Sequence, residues 1–301
     1  MELINVNKNI GKKHIIKDLN LAIHKGEVFG LLGPNGAGKT TTIRMMVGLM
    51  KMTSGDIKIE GHSVKKDYKH AIRHVGAIVE NPEMYPFLSG WKNLKHYARM
   101  IPGITDERIH EVIQLVGLQK VIKEKAGRYS LGMRQRLGVA QALLHRPSIL
   151  ILDEPTNGLD PAGIREIRQY IRKLAEEENV SVIVSSHLLS EIELMCDRIG
   201  IIKNGELLSV EDVRDGQEDE ENRELTVTLN ASPIEEAKVL VSTYNMKSEG
   251  ENSITIEATK EQIPAIIKSL VLADIQIYEV NVEKTSLEDK FFKWIGENTI
   301  A

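Results

Sequence analysis

Val28-Phe29-Gly30-Leu31-Leu32-Gly33-Pro34-Asn35-Gly36-Ala37-Gly38-Lys39-Thr40-Thr41 runs from an apolar strand pattern through a glycine-rich turn into a helical pattern that ends near Gly48. The turn has the spacing G-x-x-x-x-G-K-[ST] between a strand and a helix, the arrangement that wraps backbone N–H groups around phosphate oxygens. Glycines let those N–H groups turn inward, and the helix N-terminus adds a dipole favourable to anions. The residues expected around the nucleotide are Gly33, Pro34, Asn35, Gly36, Ala37, Gly38, Lys39, Thr40 and Thr41. Lys39 is expected to reach the β- and γ-phosphates, and Thr40 to place its hydroxyl on Mg²⁺.

Working outward, residues 1 to about 210 alternate short apolar strands with helical patterns. That alternation predicts an α/β fold with a largely parallel sheet. The expected organisation is a P-loop NTPase domain over 1–212 with a helical subdomain at about 82–145, an acidic linker over 213–223, and a small C-terminal α+β domain over 224–301. In that last part, Leu225, Val227 and Leu229 alternate as a strand, and Ser232 with Glu235 has capping-box spacing around Pro233. Further strands are expected near 253–258 and 275–280. Helices are expected near 260–272 and from Thr285, whose Leu287, Phe291 and Ile295 share a face. The apolar Phe291, Phe292, Trp294 and Ile295 favour dimerisation as this domain's task, with regulation and partner contact left open.

The chain has 301 residues, 42% hydrophobic and 27% charged, with a formal net charge of -4. No basic excess points to nucleic acid as a partner. A single cysteine, Cys196, excludes a disulfide framework and a cysteine metal site. No apolar run approaches the ~18 residues that suggest a membrane span, and the N-terminus lacks a secretory pattern. A cytoplasmic protein is expected, with any membrane role carried by a partner.

The apolar strand ending in Asp153 and Glu154 lies downstream of the glycine-rich turn. At the end of a parallel strand beside a P-loop, Asp153 is placed to hold Mg²⁺ through water, and Glu154 to polarise the attacking water as a general base. The next apolar strand, 180–185, is followed by His187, at the same predicted sheet edge and within reach of the γ-phosphate and that water.

Glu154-Pro155-Thr156-Asn157-Gly158-Leu159-Asp160-Pro161 resembles the Walker B and D-loop region of ATP-binding cassette (ABC) ATPases, and Tyr129-Ser130-Leu131-Gly132-Met133-Arg134-Gln135-Arg136 resembles their signature motif. The order of motifs is the family's own, and the resemblance covers about residues 1–210. It implies an ATPase that uses ATP and Mg²⁺, with catalytic Glu154, His187 and Lys39. It implies a head-to-tail homodimer in which Ser130, Leu131, Gly132 and Met133 complete the partner's nucleotide site, a helix N-terminus acting in trans. Asp160 would lie at that seam. The resemblance further implies a separate membrane permease, and a place on the inner face of the cell membrane.

Three positions depart from the usual pattern. Glu80 stands where the family has a glutamine linking Mg²⁺ to the transporter interface, and a carboxylate is a stronger Mg²⁺ ligand than an amide. This position, the signature and the C-terminal tail resemble ATPases of bacitracin export and lantibiotic immunity, which implies export of a peptide antibiotic. Leu131 replaces a signature glycine. Ile10 stands where the family stacks an aromatic on adenine, so ATP and GTP are expected to bind comparably. Met84, Tyr85, Phe87 and Leu88, beside two prolines, form the apolar cluster where the family docks its permease. The alternative is a soluble or regulatory ABC ATPase not engaged in transport.

Overall fold

The computed structural model describes residues 1–213, 224–249 and 253–283. Residues 214–223 of the expected acidic linker and the helix expected from Thr285 lie outside the described residues. The chain divides into two compact units, Met1–Val213 and Arg214–Ala301.

The first unit begins with β1 (Glu2–Ile10), β2 (Lys13–Ala22) and β3 (Val28–Leu32), followed by α1 (Lys39–Met46). Next come β4 (Ser54–Ile59), β5 (His62–Ser63), α2 (Tyr68–Ile72) and β6 (Val75–Ile78). The helices α3 (Gly90–Ala98), α4 (Asp106–Leu115) and α5 (Leu131–Ala142) form the inserted helical region. The unit closes with β7 (Ile149–Asp153), α6 (Pro161–Glu178), β8 (Ser181–Ser186), α7 (Leu189–Glu193), β9 (Arg198–Lys203) and β10 (Glu206–Asp212).

The main sheet has six strands in the order β10-β9-β3-β8-β7-β6. All its pairs are parallel except β9 with β10 at the edge. Every residue of β3, β7 and β8 is buried, as expected of interior parallel strands covered on both faces. One face of this sheet (Phe29, Leu31, Ile149, Ile151) shares a core with Ile43, Met45 and Met46 of α1 and with Val6, Ile16, Leu19 and Ile57. Those last four belong to a four-stranded antiparallel sheet, β2-β1-β4-β5. The P-loop helix is thus clamped between two sheets. On the other face β3 meets α7 so closely that a methyl group on Gly30 would lie 2.6 Å from Ile192.

Three serines and threonines start the helices of the inserted region. Ser89, Thr105 and Ser130 each accept a hydrogen bond from the backbone N–H three residues on. Leu94 and Ala98 are buried and Trp91 and Tyr97 half-buried, which puts the apolar stripe of α3 inward.

The second unit contains β11 (Glu224–Ser232), α8 (Ile234–Val241), β12 (Asn245–Glu249), β13 (Ser253–Thr259), α9 (Gln262–Leu272) and β14 (Gln276–Glu283). Its antiparallel sheet runs β12-β13-β11-β14, the βαββαβ ferredoxin-like order. Leu225, Val227 and Leu229 point into a core with Ile254, Ile256, Ala237 and Ile266. One expectation is corrected, and one strand stands where no element was expected. The polar segment Asn-Met-Lys-Ser-Glu forms the edge strand β12, which no apolar alternation announced. Ser232 ends β11 instead of capping the next helix, whose N-cap is Pro233 with no side-chain bond.

Candidate active site

Strand register assembles the site. Leu32 pairs with Ser186, and Asp153 with Ser185, so β3, β7 and β8 end along one edge. The residues just beyond those ends are Gly33, Glu154 and His187. Their meeting is therefore a property of sheet order.

The P-loop is shaped by close approach. A methyl group on Gly33 would fall 2.2 Å from the Ile202 carbonyl. Gly38, the N-cap of α1, has φ 112, a conformation open to glycine, and its missing Cβ would meet Ile16 at 2.5 Å. Lys39 is buried. Its Nζ donates to the Gly33 carbonyl at 2.7 Å and lies 3.4 Å from Glu154 Oε1. The other Glu154 oxygen, Oε2, lies 2.9 Å from His187 Nδ1. Glu154 thus stands between an ammonium and an imidazole. Its own backbone is left-handed, at φ 49, unusual for a residue with a side chain and common at functional sites.

Behind it, Ser185 ties the two acids together. Its buried hydroxyl donates to Asp153 Oδ1 at 2.6 Å and accepts the Glu154 N–H at 2.9 Å. Sequence reading passed over Ser185, because a serine inside an apolar strand carries no spacing signal. The Thr156 hydroxyl, also buried, donates to Glu191 in α7 and fastens the turn after Glu154.

A cavity of about 320 Å³ opens over this edge, lined by Ile15, Pro34, Asn35, Gly36, Gly38, Lys39, Thr40, Thr41, Glu154, Asn157 and His187. Ile15 and Asn157 were not foreseen. Ile10 is half exposed in the β1–β2 hairpin and does not line the cavity. Ser130, Leu131, Gly132 and Met133 also lie outside its wall. They form the N-cap and first turn of α5, where the Ser130 hydroxyl accepts the Met133 N–H at 3.2 Å. Leu131 is packed 3.1 Å from the Cβ position of Gly158. The Asp160 carboxylate accepts the Gly163 N–H at 2.9 Å and caps α6. Glu80 is exposed, left-handed at φ 70, and paired with Arg44 of α1.

Cleaving a phosphoanhydride needs a phosphate cradle, a cation for the charge and a base for the water. This edge offers all three, and that defines the class, a P-loop nucleoside triphosphatase. Similarity narrows it. The ABC transporter family profile matches residues 16–157. An ABC transporter ATP-binding protein of Bacillus subtilis, YhcH, is 56% identical, covering 99% of this chain and 96% of its own length. The bacitracin transport ATP-binding protein BcrA of Bacillus licheniformis is 42% identical, covering 98% and 96%. Among solved structures, the dimeric post-hydrolysis state of the ATP-binding cassette MJ0796 bound to ADP and Pi superposes with TM-score 0.63 and 28% identity, over 71% of this chain and 98% of that one. The chain belongs to the ABC transporter family. It is an ATP-binding, ATP-hydrolysing subunit of such a transporter.

Proposed function

We propose that two copies of this chain close head to tail around two ATP molecules and drive a membrane permease that exports a peptide antibiotic of the bacitracin type. The observation that carries the catalytic part is the placing of Glu154 between Lys39 and His187 at the mouth of the cavity. In the reading offered, Lys39 exchanges the Gly33 carbonyl for phosphate oxygens, Glu154 takes a proton from the attacking water, and His187 orients that water from the opposite side. Ser130 and the backbone of Gly132 at the start of α5 meet the nucleotide of the other copy.

The oxygen donors here suit Mg²⁺, since the Thr40 hydroxyl and the buried Asp153 carboxylate are hard ligands. When bound, Mg²⁺ neutralises charge on the phosphates. Glu80 joins this set only after leaving Arg44, and an exposed pair of that kind is worth at most about 1 kcal/mol, so release is cheap. The substrate class rests on the similarity to BcrA, which extends over the C-terminal unit as well as the ATPase unit. The permease surface rests on Tyr85 and Phe87, both exposed, with Met84 and Leu88 half-buried beside them. Among the described residues no helix is long and apolar enough to cross a membrane, so this reading puts the chain at the inner membrane face through its permease.

The test is Glu154→Gln in the full chain with Mg-ATP. A stable ATP-dependent dimer with hydrolysis reduced about 10²–10⁴-fold is expected. ATP binding without dimerisation would overturn the sandwich for the isolated subunit. Unchanged hydrolysis would remove Glu154 as the base. For the substrate class, the same substitution in the host chromosome is expected to lower the inhibitory concentration of bacitracin. No change there would reject that class alone.

A further inference from the structure

Away from the nucleotide cavity, one nine-residue segment gathers three metal-ligating side chains that the ATPase mechanism does not use. His62 lies on β5, Asp67 immediately precedes α2, and His70 is in the first turn of α2. One ligand atom from each lies within 4.8 Å of the other two. His62 Nδ1 is 2.8 Å from one Asp67 oxygen, and His70 Nδ1 is 2.5 Å from the other. The two imidazoles stack, with centroids 5.4 Å apart. His74 also stacks on His62, at 6.1 Å, and stands outside the set.

The arrangement is held by its surroundings. The Ser63 hydroxyl accepts the N–H groups of Lys65 and Lys66 and donates to Asp56. The Asp67 N–H donates to the Ser63 carbonyl at 2.7 Å. Tyr68 packs against Gly48, at the end of the P-loop helix, and Val64 and Ala71 are buried. The turn is therefore built before any ligand arrives. Asp67 is also in the N-cap position of α2, where aspartate ordinarily accepts a backbone N–H. Its side chain makes no such bond and is turned to the imidazoles instead.

We propose that His62, Asp67 and His70 form a binding site for a borderline divalent transition metal, Zn²⁺ or Co²⁺, that fastens α2 to β5. Two imidazole nitrogens and one carboxylate oxygen are the donors such ions take, with water completing the shell. Mg²⁺ and Ca²⁺ prefer all-oxygen sites, so the nucleotide's cation does not compete. Lys65, Lys66, Lys69 and Arg73 flank the three in sequence. General attraction of cations is thus weak here, and binding rests on coordination.

The test uses chelator-treated full-length protein without nucleotide, in excess Mg²⁺, titrated with Co²⁺ and followed by visible absorption. Wild type is expected to take up one Co²⁺ per chain with ligand-field bands, which Zn²⁺ then displaces. The double variant His62→Gln, His70→Gln is expected to lose more affinity than the roughly 10–100-fold that removing a mere supporting group costs, while its ATPase rate is unchanged and reports correct folding. Zn²⁺ should raise the thermal midpoint of wild type and leave that of the variant in place. Equal Co²⁺ uptake by the two proteins would overturn the proposal, as would the absence of ligand-field bands in wild type. Asp67→Asn supplies an independent variant, with weakened Co²⁺ binding expected and wild-type binding contradicting the assignment.

Discussion

Ser185 carries the acids of the site on one hydroxyl, which makes it the most informative single residue to change. Ser185→Ala leaves Asp153 and the Glu154 N–H without their shared partner inside a fully buried strand. Losing a buried hydrogen-bond partner costs about 1–3 kcal/mol, so the unfolding free energy read from urea denaturation should fall by that amount, with a lower midpoint. ATP hydrolysis should fall with it, and nucleotide affinity should change little because Lys39 and the P-loop are untouched. His145 supplies the pH dependence. Burial holds its pKa below the usual 6.5, against an opposing hydrogen bond to the Val75 carbonyl and with a smaller lowering by Arg108. The unfolded chain therefore takes up this proton first as pH falls, and the fold's advantage, complete above the unfolded value, is lost on acidification. Urea unfolding of wild type and His145→Gln at about pH 7.5 and 5.5 should show a shallower pH slope for the variant. Lys39, Glu154 and His187 were legible because each sits at a fixed offset from an apolar strand. Ser185 was not, since its side chain matters only through register with the neighbouring strand. Ile15 was missed for a similar reason. The hairpin Asn9↔His14 carries the chain past Ile10, and Ile15 reaches the cavity instead.

At the scale of elements, the loop between β6 and α3 shows how one buried amide can present an apolar surface. Asn93 has no exposure. Its Oδ1 accepts the Tyr85 N–H at 2.8 Å, and its Nδ2 donates to the carbonyls of Tyr85 and Ser89 at 3.1 and 3.0 Å. The Tyr97 hydroxyl adds a bond to the Glu83 carbonyl. Phe87 is 66% exposed on this fastened loop, which a core residue would not be. Phe87→Asp should therefore leave the thermal midpoint and basal ATPase rate of the isolated subunit near wild type while abolishing antibiotic resistance in the cell. A loss of nucleotide binding would show that the loop shapes the cavity instead. Asn93 escaped sequence reading because a polar residue on the inner face of an amphipathic helix reads as noise until the loop it serves is placed. The strand β12 escaped for the opposite reason. An edge strand buries little, so its sequence needs no apolar alternation.

For the whole molecule, the decisive feature is that each unit owns a core. The first closes around Phe29, Ile43, Ile57 and Ile151, and the second around Val227, Leu229, Ile254 and Leu270. A chain ending at Val213 keeps every described member of the first core. It should fold, keep its ATPase activity, and unfold cooperatively with a midpoint close to that of the corresponding transition in the full chain, as scanning calorimetry can read. The C-terminal unit should then matter for assembly. Its sheet ends in the edge strand β14, on which Tyr278, Val280 and Val282 expose apolar side chains. Edge strands of that character invite a partner. Sedimentation of Glu154→Gln with Mg-ATP, with and without residues 214–301, separates the contributions. Weaker dimerisation of the short form would assign this unit a share of the seam. An unchanged dimerisation constant would leave the nucleotide sandwich as the whole of the attraction, and would turn the search for the C-terminal unit's partner towards the permease.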